Sequence, residues 1–203
     1  MSREAARDLG ARAVVVVLFT MLSINLLEDF LRTGRITGLL LLSSEALVVV
    51  LTIVRRRARL VDRSVEAAVT TTLSLVAPPL LRAGGVESLL PDLATATMSA
   101  AGLALVIVGK LTLGRSFGLV PANRGIVARG PYHLVRHPIY TGYLITHIAF
   151  LIAQPRPWNM AVVAVGDTAL VIRALIEERV LGGDAEYQAY CRRVGWHLLP
   201  GVF

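Results

Sequence analysis

A chain of 203 residues with 55% hydrophobic and only 17% charged side chains is too apolar for an ordinary soluble domain. Its net charge of +7 raises nucleic acid as a partner, but the placement of the charge argues against it. If the apolar runs are membrane spans with both termini cytoplasmic, every Lys and Arg except Arg32, Arg35, Arg82 and Arg156 falls on or toward the cytoplasmic side, the positive-inside pattern.

Apolar runs fall at 13–31, 36–54, 65–81, 93–109, 138–155 and 158–176. Each is close to the roughly 20 residues that a helix needs to cross about 30 Å of hydrocarbon. The expected fold class is therefore all-α: a polytopic membrane bundle of five to six transmembrane helices, built as one compact unit. The arginines before the first run resemble the start of a signal peptide. Glu28-Asp29 close that run where a small-residue cleavage site would stand, so the first helix is expected to be retained.

Residues 1–109 read as two helical hairpins, turning at Thr33-Gly34-Arg35 and at Arg82-Ala83-Gly84-Gly85. The arginine cluster 55–59 separates them and suits anionic lipid headgroups. Glu45 lies near the middle of the second run, where an ionisable group faces the bundle interior or a wet cavity, or is a lone carboxyl bonded to Ser43 or Ser44.

Residues 110–137 form the longest polar interval, rich in Gly and Arg, on the expected cytoplasmic side. It ends in Gly130-Pro131-Tyr132-His133-Leu134-Val135-Arg136-His137-Pro138-Ile139-Tyr140-Thr141-Gly142. Pro138 suits the first turn of a helix and pushes His137 out of the α region, so His137 becomes the hinge between loop and helix. The amides of Ile139 and Tyr140 would point back toward Arg136 and His137, forming an anion site beside an imidazole and a phenol. His137, Tyr140, Leu144 and His147 share one helix face, and His147 is expected to be a packing residue with satisfied hydrogen bonds.

The tight turn Gln154-Pro155-Arg156-Pro157 makes the last two apolar runs an antiparallel pair and returns residues 173–203 to the side of 110–137. Ile176-Glu177-Glu178-Arg179 closes the last run. Two carboxylates at a helix C-terminus oppose the macrodipole and call for a cation: Arg173 or Arg179 nearby, Arg136 or Arg193 from facing segments, or a cationic ligand. Asp184 is an N-cap for a final short helix carrying Tyr187, Tyr190, Cys191 and Val194. Trp196, His197 and Phe203 suit an interfacial position.

Other chemistries find no support. His133 and His137 are four apart, but Pro138 breaks the helix there, and no cysteine cluster exists beside the single Cys191, so no metal site is expected. There is no glycine-rich dinucleotide loop after a strand, no Walker loop and no serine nucleophile elbow.

Over 110–203 the chain resembles the integral-membrane methyltransferases of the isoprenylcysteine carboxyl methyltransferase and phospholipid N-methyltransferase group. The matching pieces are Leu113-Gly114-Arg115-Ser116-Phe117, Gly130-Pro131-Tyr132, Arg136-His137-Pro138-x-Tyr140-x-Gly142, Glu177-Glu178, Tyr187-x-x-Tyr190, and Arg193-Val194 ahead of Pro200-Gly201. His133 stands where the family has Arg or Lys, and Gly182-Gly183 replaces an aromatic-Gly step.

The resemblance implies transfer of a methyl group from S-adenosylmethionine to a lipophilic acceptor (carboxylate, amine or thiol) at the cytoplasmic membrane face. It implies cofactor binding by Gly130, Tyr132, Arg136, His137, Tyr140, Gly142 and Glu177, with Glu178 and Arg193 orienting the acceptor and Glu178 a candidate base for an amine. The acceptor-selecting part would be 1–109 and the cofactor-binding part 110–203. Two other readings compete: an NADPH-dependent reductase like the sterol reductases, and a non-catalytic scaffold or transporter using Glu45 and Asp167.

Overall fold

The computed structural model describes residues 20–34, 60–117 and 121–203, with residues 17, 36, 39 and 42. The expectations for Glu45 and the arginine cluster 55–59 lie outside the described residues. Among those described the chain is mostly helical. Residues 20–33 form α1, followed by α2 (Val65–Val76), α3 (Asp92–Leu113), α4 (Pro138–Ala153), α5 (Pro157–Leu181) and α6 (Ala185–Arg193). One short antiparallel pairing joins β1 (Leu60–Val61) to β2 (Ala122–Asn123).

The helix ends follow local chemistry. Ser64 caps α2 by accepting from the Ala67 amide at 3.1 Å, and Pro78-Pro79 turn the chain into a 3-10 helix after it. Proline occupies the first position of both α4 and α5. Asp184 caps α6 by accepting from the Glu186 amide, as its sequence position predicts.

Helices α3 and α5 are long and apolar enough to cross a membrane, whereas the 65–80 segment and α4 are shorter apolar helices. The run predicted over 93–109 extends to Leu113, so the polar interval starts at Gly114. Lys110, expected in that interval, is instead fully buried in α3. Its ammonium lies over the rings of Tyr143, at 5.0 Å, and Phe117, at 5.9 Å.

Two antiparallel helix pairs set the architecture. In the first, Gly102 and Gly109 of α3 face Gly142, Thr146 and Ile139 of α4. A Cβ on Gly142 would sit 2.6 Å from the Gly102 carbonyl oxygen and 2.6 Å from Val106 Cγ2, so the backbones meet where side chains are absent. Small residues at a crossing are how helices pack in lipid, where apolar burial gives no preference for protein over lipid tails.

In the second pair α2 lies along α5. Arg179 binds Glu66 at 3.1 Å at one end, and at the other Asn159 donates to the Arg82 carbonyl and accepts from its amide. Leu22 and Leu26 of α1 pack on Leu81, Phe150, Val162 and Val163. The loops at 84–90 and 154–156 thus gather at one end of the bundle. Residues 114–117, 121–137 and 177–203 gather at the other, as the turn after α4 predicts.

Candidate active site

At that second end the link between loop and helix is His137, with φ −126° and ψ 61°, outside the α region as Pro138 requires. The amides of Tyr140 and Thr141 both donate to its carbonyl oxygen, at 3.0 and 3.1 Å. The Tyr140 amide, expected to face an anion, is therefore taken up by the helix itself. The C-terminal tail completes the hinge. Arg136 and His137 amides donate to the carbonyls of Trp196 and His197, both at 2.9 Å, and Thr141 Oγ1 donates to the Leu198 carbonyl at 2.7 Å.

The negative group facing Arg136 and His137 comes from the chain. Glu178 Oε2 accepts from Arg136 Nη1 at 2.8 Å, while its Oε1 lies 3.0 Å from His137 Nε2 and 2.6 Å from His197 Nδ1. Arg136 also donates through Nε to the Val194 carbonyl at 2.8 Å. One carboxylate thus joins the loop before α4, the end of α5 and the tail, with each charge compensated. Because α5 runs on to Leu181, the two glutamates lie a turn before its end and not at its terminus.

Glu177 faces a different set of groups. Its Oε1 accepts from the Tyr140 hydroxyl at 2.5 Å and lies 3.5 Å from Arg173 Nε one turn earlier on α5. His137 Nδ1 lies 3.8 Å from the other oxygen, too far for a hydrogen bond. The imidazole and the Tyr140 ring are parallel within 3°, centroids 5.4 Å apart, and the Arg173 guanidinium lies over the same phenol. Arg179, the other nearby candidate, turns away to Glu66.

Several of these groups line one cleft. Tyr132, Arg136, His137, Tyr140 and Glu177 meet there, and Leu113, Ile126 and Val127 supply an apolar wall. Tyr187 and Tyr190 close it from α6. Burial is the main reason that the phenols of Tyr132, Tyr187 and Tyr190 are pushed well above the ordinary tyrosine value, with negative neighbours adding to it. They stay neutral, and Tyr190 uses its proton to donate to the Tyr132 carbonyl at 2.8 Å.

The other candidate residues lie elsewhere. Gly142 sits at the α3–α4 crossing. Gly130, with φ +57°, opens the 3-10 turn that presents Tyr132, and a Cβ there would press on Thr112 Oγ1 at 3.0 Å. Glu178 lies behind the cleft, and Arg193 is exposed on α6. Arg173 was read from sequence only as a partner for Glu177. It also lines the cleft, and its place as a lone cation inside an apolar run was the available signal. Among the described residues no group of side chains could hold a metal ion.

No curated protein matches the chain. Residues 93–183, which hold α3, the loop, α4 and α5, match the phospholipid methyltransferase family. The cleft's Tyr132, Arg136, His137, Tyr140, Arg173 and Glu177 all lie within that matched segment, in line with the resemblance of the C-terminal half to the membrane methyltransferases.

Proposed function

We propose that the cleft binds S-adenosylmethionine and that the protein transfers its methyl group to a lipophilic acceptor at the membrane surface. The observation that carries this reading is the convergence on one cleft, inside the family-matched segment, of Tyr132, Arg136, His137 and Tyr140 from the loop and the start of α4 with Glu177 of α5. The donor set fits the cofactor. A zwitterionic amino acid end needs both an acceptor and donors, which Glu177 and the Arg136 guanidinium, shared with Glu178, provide. An adenine ring needs an apolar and aromatic wall, which Ile126, Val127, Leu113 and the tyrosines provide.

When bound, the cofactor supplies an electrophilic methyl on a sulfonium. The chain's residues position it and exclude water, since such a transfer disperses charge and gains most from alignment. Glu177, held by Tyr140 and Arg173, is placed to accept from the cofactor's ammonium or ribose hydroxyls. Glu178 acts as a positioning residue: bound to Arg136, His137 and His197, it fixes the hinge and the tail. That commitment to three donors leaves it poorly suited to take a proton from an amine. Arg193, exposed beyond the cleft, is free to meet an acceptor headgroup at the cytoplasmic face.

Incubating the purified protein with methyl-labelled S-adenosylmethionine and a total membrane lipid extract tests the reaction. Label in the organic phase, lost in Glu177→Ala, is the expected outcome. No transfer into any lipid fraction by protein that binds the cofactor would remove lipids as the acceptor class.

A further inference from the structure

Residues 194–203 contain no Asp, Glu, Lys or Arg, and the fold gives this tail two unlike faces. The inward face is anchored. Leu198 is buried in one cluster with Phe117, Ile139 and Tyr140, and Val194 in another with Tyr132, Tyr187 and Tyr190. The tail then closes on itself. The Leu198 and Leu199 amides donate to the Phe203 backbone oxygen, both at 2.8 Å, and the Phe203 ring stacks on His197 with centroids 4.7 Å apart.

The outward face is apolar and exposed. Val202 is 77% exposed and Trp196 45%, and Leu199 and Phe203 are also exposed. Leu134 of the loop is 67% exposed and stands two residues before Arg136, whose amide donates to the Trp196 carbonyl. Single exposed apolar side chains are ordinary, but five on one fixed turn and its backbone partner make a patch, and a patch marks a contact.

Two observations name the partner. The first is level: α3 ends at Leu113 and α5 at Leu181, so both membrane-length helices stop at the end of the bundle where the tail lies. A tryptophan, apolar in its body and with an N–H to donate, suits the depth at which such helices meet headgroups. The second is charge. Arg192 and Arg193, exposed in the last turn of α6, lead directly into the tail, and Arg129 and His133 are exposed on the loop. The exposed Glu186 lies in the first turn of α6, away from that junction. Arginines beside an apolar patch fit an anionic lipid surface. They fit poorly against the same basic patch on a second copy of the chain.

We propose that this face of the tail seats on the anionic headgroup layer of the bilayer, and that the seating holds the frame of the cleft. The path between them is short. His197 Nδ1 lies 2.6 Å from Glu178 Oε1, and Glu178 in turn binds Arg136 and His137. The inference requires α3 and α5 to be spans, and it does not require the cleft to transfer methyl groups. It makes the order of the cleft depend on the lipid composition of the surface.

The test places the full chain in nanodiscs of phosphatidylcholine alone and of phosphatidylcholine mixed with phosphatidylglycerol. In Trp158→Phe the remaining tryptophan is Trp196, and lipids brominated high in the acyl chain quench it on contact. Stronger quenching is expected in the anionic discs. The ratio of seated to unseated tail should fall about fivefold there in Trp158→Phe/Arg192→Gln, the factor equivalent to ~1 kcal/mol per arginine at an anionic surface. Hydrogen exchange on the native chain, which needs no substitution, should be slower at the Arg136 and His137 amides in the anionic discs. Unquenched Trp196 would overturn the proposal, whether its emission is water-like or is shifted to the blue by a second copy. Equal quenching or equal exchange in the two discs would overturn it as well. S-adenosylmethionine titrated into the same discs keeps the two readings apart: lipid-dependent quenching and exchange in a chain that binds no cofactor defeat only the methyl-transfer reading.

Discussion

His197 Nδ1 lies 2.6 Å from Glu178 Oε1, so a residue six before Phe203 is fastened to α5 beside the cleft. With the backbone bonds from Arg136 and His137 to Trp196 and His197, this makes the tail part of the site's frame. Replacing His197 by Ala should lower stability by about 1 kcal/mol. It should also speed hydrogen exchange at the Arg136 and His137 amides relative to the α3–α4 crossing. Unchanged exchange at those two amides would show that the backbone bonds hold the tail alone.

Tyr140→Phe removes the hydroxyl that donates to Glu177 while keeping the ring stacked on His137. A carboxylate deprived of a donor at a buried position costs about 1–3 kcal/mol. The expected result is a lower melting temperature together with weaker S-adenosylmethionine binding, by about five- to tenfold. A fall in melting temperature with unaltered cofactor affinity would make Glu177 a structural carboxylate.

Gly142, a cofactor-binding candidate from the resemblance, sits at the crossing of α3 and α4. Gly142→Ala should destabilise the protein by about 1–3 kcal/mol through overpacking against Gly102 and Val106. Cofactor affinity in the protein that remains folded should be unchanged. Gly183→Ala is the matched control, because a Cβ there meets nothing within 4 Å and stability should move by less than about 0.5 kcal/mol. Thermal melts of the two variants side by side decide the point.

Glu178→Gln and Arg193→Ala should separate frame from acceptor contact. The first deprives Arg136, His137 and His197 of their shared carboxylate and is expected to cost about 3 kcal/mol of stability. The second should leave melting and cofactor affinity untouched while raising the acceptor's KM. An unaltered KM in Arg193→Ala would remove that residue from the acceptor site.

How much of this was legible in the sequence follows from what local rules can encode. Pro138 and Asp184 announced their helix starts because the restrictions they impose act on adjacent residues. The return of 173–203 to the loop end was legible from the short turn at 154–157. The pairing of Glu178 with Arg136 was among the stated alternatives, but periodicity could not choose it over the others. The tail's role and the burial of Lys110 depend on contacts between distant segments, which no local pattern records. Gly142 shows the same limit, because a motif glycine looks the same in sequence whether it admits a ligand or another helix.

The most direct test of the account is titration of S-adenosylmethionine into the detergent-purified protein by calorimetry, with His137→Ala and Glu177→Ala alongside. The account predicts saturable binding to the native chain and loss of affinity by about tenfold or more in both variants. Absence of binding to folded native protein, above all if NADPH binds in its place, would contradict it.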